Sequence, residues 1–166
     1  MLKIITAGDG GVGKTTLLRR YVEGVFISGT KLTVGVEFFS KELILNNITC
    51  ALQLWDFGGQ ERFRFMVESY MIGAKGAVLM FDLTRMSTLN SLQEWVEIMR
   101  KHNVNLPILF VGTKKDLIEQ ISVQDSYALE LKAKYNFFEF IKISSKTGEN
   151  VDALFTIIAN KIISTN

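Results

Sequence analysis

Short apolar runs alternate along this chain with segments whose apolar residues recur every three or four positions, and polar stretches containing glycine separate them. Residues 2–7 form a mostly apolar run suited to a buried strand, and Leu17-Leu18-Arg19-Arg20-Tyr21-Val22 suits a helix over about 14–23. The stretch 24–33 fits neither period and predicts a mobile loop. Two β-rich runs, 36–45 and 48–55, flank Asn46-Asn47, a two-residue link that tolerates positive φ, so an antiparallel hairpin is expected. A second glycine-containing loop spans 57–64, and 65–72 fits a short, weakly determined helix.

Further on, 77–82 predicts another buried strand, and Leu89, Leu92, Trp95, Val96 and Met99 carry the spacing of an amphipathic helix over 87–102. Pro107, the only proline, opens a strand over 108–112, where a missing N–H is tolerated. A helix over 123–135 with Ser122 as its N-cap, a strand over 137–143 and a helix over 151–163 complete the order. Strands alternating with helices imply right-handed crossovers and a mostly parallel sheet, with the hairpin placing one antiparallel strand at an edge. Ligands of such sheets sit at the carboxyl ends of the strands, where the Gly8 loop, Asp56, Thr113 to Asp116 and Ser144 to Lys146 all fall.

Composition narrows the picture. A length of 166 residues suits one domain, 1–166, and 48% hydrophobic content suits strands buried on both faces. A net charge of +2 lacks the basic excess of a nucleic-acid binder, so no DNA or RNA partner is expected. The single cysteine, Cys50, excludes a disulfide framework and fits a reducing, cytoplasmic compartment, where it reads as a small buried hydrophobe. Neither a membrane span nor a signal peptide is expected. Leu2 follows Met1 and the chain ends Ser164-Thr165-Asn166, so no myristoyl or prenyl anchor is expected either, and membrane recruitment is not evident.

The candidate chemistry centres on Gly8 to Thr16, Gly-Asp-Gly-Gly-Val-Gly-Lys-Thr-Thr, which fits the phosphate-loop pattern G-x-x-x-x-G-K-[ST] between a strand and a helix. Without Cβ atoms, Gly8, Gly10, Gly11 and Gly13 let the backbone wrap closely around phosphate oxygens. The N–H groups from Asp9 through Val12 to Thr16 then form an anion nest backed by the helix dipole. Lys14 would reach the β- and γ-phosphates, and the Thr15 hydroxyl would be a hard ligand for Mg2+.

Asp56 stands where the carboxylate partner of Mg2+ is expected, directly or through water. Gly59 would let its N–H approach a γ-phosphate, and Gln60 would hold an attacking water in line. Thr113-Lys114-Lys115-Asp116 follows a strand, and the two oxygens of Asp116 can accept from the adjacent N1–H and amino group of guanine, where adenine offers an acceptor and a C–H. Ser144-Ser145-Lys146 would supply a backbone N–H to the guanine carbonyl and a lysine stem to pack on the ring.

With these residues assembled, the chain resembles the small GTPases of the Ras superfamily, and among them the Rab-like branch. The resemblance covers 2–163 and rests on Gly8 to Thr15, Thr33-Val34-Gly35, Asp56 to Gln60, Thr113 to Asp116 and Ser144 to Lys146. It implies an α/β fold, a P-loop NTPase G domain with a six-stranded, mostly parallel sheet, one antiparallel edge strand and helices on both faces. It also implies GTP and GDP as ligands, Mg2+ as cofactor, GTP hydrolysis, and switch segments that the γ-phosphate orders. Thr33 would then ligate Mg2+ in switch I, Phe26 would stack edge-on against guanine, and Phe38, Trp55 and Tyr70 match the aromatic triad that Rab proteins present to effectors. For Trp55, ordinary packing beside the hairpin is an equal reading. Exchange factor, activating protein and effectors are the implied partners, through switch I and switch II, of a monomer.

Four departures accompany the likeness. Thr113 replaces the commoner asparagine, as in Rho-like members. Phe57-Gly58 replaces Thr-Ala, so that Gly58-Gly59-Gln60 looks more like the Arf and heterotrimeric Gα pattern. Thr30 falls where many relatives carry a closing tyrosine, and Ser145 replaces alanine. The stretch 26–33 contains no arginine, so hydrolysis is expected to be slow until an activating protein supplies one, and Gly10 leaves room for it. His102 reads as a surface residue near a helix end, Asp82 as a structural cap, the methionines as filler, and Lys31, Lys41 and Lys75 as solvated surface. A pseudo-GTPase acting as an interaction module is the alternative from another class, and Asp116 separates both readings from an adenine-nucleotide enzyme.

Overall fold

A computed structural model of the chain describes residues 1–29 and 31–165. The expectation for Thr30 therefore lies outside the described residues. The order is β1 (Leu2–Ala7), α1 (Lys14–Glu23), β2 (Val36–Leu45), β3 (Ile48–Phe57), α2 (Arg64–Tyr70), β4 (Gly76–Asp82), α3 (Leu92–Arg100), β5 (Ile108–Thr113), α4 (Asp125–Lys134), β6 (Glu139–Lys142) and α5 (Val151–Thr165). The sheet runs β2-β3-β1-β4-β5-β6, and β2, the antiparallel strand, occupies an edge. All other pairings are parallel.

Alternation along each strand divides the core. Ile5, Leu79, Phe81 and Phe110 face a layer with Val67 of α2, Trp95 of α3 and Leu131 of α4. Their neighbours Ile4, Val78, Met80 and Leu109 face the opposite layer, with Leu17 and Leu18 of α1 and Phe155 and Ile158 of α5. Because successive strand side chains point to opposite faces, a strand covered on both sides must be apolar throughout. β4, whose residues are all buried, is the extreme case. Asn46 and Asn47 take φ of 50° and 63° and close the β2–β3 hairpin as their sequence predicts.

Several boundaries differ from the sequence expectation, for local reasons. β3 continues two residues to Phe57, because Val36 and Glu37 of the edge strand pair with Phe57 and Asp56. The expected helix over 87–102 is split: residues Met86–Leu89 wind as a 3-10 turn, and α3 starts at Leu92. The Thr88 hydroxyl ties that turn to strand β4 by accepting the Asp82 N–H at 3.0 Å and donating to the Arg85 carbonyl at 2.8 Å. Ser122 is not the cap of α4; its N–H is 2.9 Å from the Leu83 carbonyl, and Gln124 occupies the N-cap position. Cys50 is half-buried on β3, with no disulfide partner.

Candidate functional site

The loop between β1 and α1 brings Lys14 inward. Its side chain is buried, and its ammonium donates to the carbonyls of Gly8 at 2.8 Å and Asp9 at 3.0 Å. Burial pulls the Lys14 pKa down to about 8, while the charges of Asp56 and Asp9 work to raise it. The result is a buried cation held under a glycine loop by two carbonyl acceptors and the charges of Asp56 and Asp9, a site to which an anion is attracted. Gly10, Gly11, Gly13, Thr15 and Thr16 line a cavity there, with Thr33 and Gly59 on its far wall.

Three hard oxygens meet at its edge. The Thr15 hydroxyl is 2.5 Å from Asp56 Oδ2 and 2.6 Å from the Thr33 hydroxyl. Asp56 is fully buried, and its Oδ1 has no hydrogen-bond partner. Burial pushes the Asp56 carboxyl up to about 6, although the Thr15 hydrogen bond and the Lys14 charge draw it down. A buried carboxylate with an orphaned oxygen beside two hydroxyls fits a small divalent cation that keeps phosphate and water ligands, as Mg2+ does. This donor set holds one carboxylate only, so the fit is to Mg2+ completed by a nucleotide and not to an all-protein cage.

The loop 57–64, which would carry switch II by the resemblance, crosses the same edge. The Gly58 N–H donates to the Gly35 carbonyl at 2.9 Å. A Cβ at residue 58 would lie 2.6 Å from the Thr33 carbonyl, and one at residue 59 would lie 2.4 Å from Gly10 N. Both glycines are thus required by close approach, one to switch I and the other to the phosphate loop. Phe57, which replaces threonine in the commoner pattern, is core and packs its ring 5.4 Å from Tyr70. Gln60 heads the 3-10 turn Glu61–Phe63, its carbonyl accepting the Phe63 N–H at 2.9 Å, and Gly59 is the cavity wall beside it.

A second cleft, of about 570 Å³, adjoins the first. Phe26, Ile27, Ser28 and Gly29 form one side, and Thr113, Lys114, Asp116, Ser145 and Lys146 the other. Such a volume accommodates a nucleoside. Ser144 is buried and donates from its hydroxyl to Asp116 Oδ1 at 2.7 Å, which orients the carboxylate, while its own N–H is engaged by the Glu149 carbonyl. Thr113 Oγ1 donates its proton toward the Val12 carbonyl at 2.7 Å, with the Phe81 carbonyl at 3.0 Å, and so ties the phosphate loop to the sheet. Lys114, at φ 62°, places its ammonium 2.6 Å from the buried Asp82. Burial alone would raise the Asp82 carboxyl; the bonds from Lys114, Thr84 and Arg85 outweigh it and hold it below the ordinary value.

A profile described as Ras family matches residues 3–164. The chain belongs to the Ras family. It is 35% identical to the Ras-related protein Rab-19 of Rattus norvegicus over 100% of this chain and 77% of that protein. It is 34% identical to the Ras-related protein RABA4a of Arabidopsis thaliana, and 35% to the Ras-related protein Rab11A of Lotus japonicus, each over 98% of this chain and 72% of the relative. As a Rab-like member of the Ras family the protein is a guanine-nucleotide-dependent switch that binds GTP and hydrolyses it. Ras-family proteins generally bind GTP or GDP with Mg2+ and engage regulators and effectors. The reading as a pseudo-GTPase is not supported. No described helix is long and apolar enough to cross a membrane.

Within this Ras-family site one cluster escapes the sequence reading. Asp9 does not point at the cavity: its Oδ1 accepts from Trp95 Nε1 at 3.0 Å and from Arg64 Nη2 at 3.2 Å. Arg64 in turn pairs with Glu94, donates to Ser91 at 3.0 Å and lies 5.1 Å from the Trp95 ring centroid. One guanidinium therefore fastens switch II to the phosphate loop and to α3. Removing it leaves Asp9 without its charge partner in a mostly buried position, so Arg64→Leu is expected to lower stability by about 2 kcal/mol. Urea unfolding checks this, and a loss below about 0.5 kcal/mol, ordinary for a surface change, would refute it.

Proposed function

We propose that residues 1–166 form one small-GTPase domain whose nucleotide lies along the two clefts, phosphates over Gly10 to Thr16 and guanine between Phe26 and Lys146. The observation that carries this is the meeting of Thr15, Thr33 and Asp56 beside buried Lys14. Lys14 and the loop N–H groups bind the β- and γ-phosphates, and Thr15, Thr33 and Asp56 hold Mg2+. Held there, that ion would supply positive charge against the negative charge of the phosphates. Asp116 accepts from the guanine edge, with Ser144 fixing its orientation and Lys114, Ser145 and Lys146 completing the cleft.

Gly59 presents its N–H to the γ-phosphate, and Gln60 orients the attacking water. Gly58-Gly59-Gln60, similar in sequence to the Arf pattern, serves this by letting switch II lie on switch I. Hydrolysis is slow until an activating protein supplies an arginine, an effect worth about 10³ to 10⁵ in rate. Leu32, whose side chain lies 3.5 Å from where a Gly10 Cβ would stand, must move to admit it. Effectors dock on the contiguous rings of Phe38, Trp55 and Tyr70, which touch at centroid distances of 5.1 and 5.2 Å. The monomer works in the cytoplasm.

Single-turnover release of phosphate from the GTP-loaded protein tests the role of Gln60. Gln60→Leu removes one hydrogen-bonding group from the reacting water and is expected to slow release by about 10- to 100-fold with GDP affinity unchanged. Equal rates in the two proteins would refute the assignment.

A further inference from the structure

We propose that Lys31 of switch I contacts the γ-phosphate and so gives the protein part of its preference for GTP over GDP. The inference rests on the placement of the phosphates given above.

Two basic residues line the phosphate cavity, Lys14 and Lys31. Lys14 is engaged by the carbonyls beneath the loop. Lys31 is exposed and has no carboxylate partner among the described residues. The other cations nearby are committed: Arg64 to Asp9 and Glu94, Arg85 and Lys114 to Asp82, Lys115 to Glu149, and Arg19 to Glu37. Lys31 is also the only basic side chain between Phe26 and Thr33. Its sequence reading as solvated surface agrees with its exposure, and its place on the cavity wall adds a phosphate within its reach.

The neighbouring residues place the chain that carries that charge. Leu32 covers Gly10, and the Thr33 hydroxyl reaches Thr15, so this segment crosses directly above the phosphate loop. A lysine here carries its charge on a flexible four-carbon stem and acts as a point charge, suited to the outer oxygens of a terminal phosphate. GDP presents no phosphate at that distance from the loop. Lys31 therefore contributes to binding of GTP alone, whereas the β-phosphate contacts of Lys14 and the loop amides serve both nucleotides.

The test is titration of wild type, Lys31→Met and Lys31→Arg with fluorescent GDP and with a fluorescent non-hydrolysable GTP analogue, both in Mg2+. The expected result is about a tenfold loss of affinity for the GTP analogue in Lys31→Met, GDP affinity within about twofold of wild type, and recovery in Lys31→Arg. Because the charge is exposed, the loss should shrink as ionic strength rises from about 0.05 to about 0.5 M, where the Debye length falls severalfold. An unchanged affinity for the analogue, or an equal loss for both nucleotides, overturns the proposal. Lys14→Met titrated alongside separates the two failures: if it binds both nucleotides as tightly as wild type, the placement of the phosphates has failed and the role of Lys31 with it.

Discussion

Lys14→Met is expected to lower GDP affinity by about 10² to 10⁴-fold while leaving the ligand-free fold intact. The magnitude follows from what one ammonium provides at this place. A buried cation donating to phosphate oxygens makes charge-assisted hydrogen bonds worth about 1.5–3 kcal/mol each. Two of them correspond to about two to four decades in dissociation constant. The ligand-free protein should hardly notice the change. Lys14 gains hydrogen bonds to the Gly8 and Asp9 carbonyls, but burial has already pulled its pKa to about 8, so methionine removes a desolvation cost along with the bonds. Calorimetric titration with GDP, paired with thermal melts of both ligand-free proteins, separates affinity from folding. An affinity within tenfold of wild type would refute the assignment.

What the sequence made legible was local. The glycine loop, the helix that starts at Lys14 and the Asn46-Asn47 hairpin depend on neighbours in the chain, and all three are found where their patterns place them. Six strands and their alternation with helices were legible for the same reason, since period and apolar run length are short-range properties. The start of α3 was not, because Leu89 keeps the helical spacing while Thr88 is turned onto β4. Nor was the role of Asp9, whose partners Arg64 and Trp95 are 55 and 86 residues away. A signal did exist: a tryptophan on the apolar stripe of a helix needs an acceptor for its indole N–H. Its identity required the fold. The same limit applied to Lys41, read as solvated surface, which lies over the Tyr21 ring and donates to the Tyr21 carbonyl.

Asp56→Asn is expected to move two properties in opposite directions. A carboxyl pushed from 3.8 to about 6 carries its charge at pH 7 at a cost of about 3 kcal/mol, so the neutral amide should stabilise the nucleotide-free protein by about 2–3 kcal/mol. The sign follows from proton binding. The folded carboxyl takes up its proton at higher pH than the unfolded one, so the cost is absent below about pH 4, grows between pH 4 and 6, and is complete above. The advantage of the variant in denaturant unfolding should follow the same course. Its response to Mg2+ should collapse, because the amide offers the cation no charge, leaving the two hydroxyls of Thr15 and Thr33. GDP release measured with Mg2+ and with EDTA should then differ by at least about tenfold less than in wild type, a change of about 1.4 kcal/mol or more. A variant that is less stable without nucleotide would show that the orphaned Oδ1 is no burden to the fold. A variant that keeps its Mg2+ dependence would remove Asp56 from the metal set. If both expectations hold, the ligand-free domain carries at Asp56 an ionised group that only the cation compensates, and binding of Mg2+ with nucleotide stabilises the protein most where the site is costliest without them.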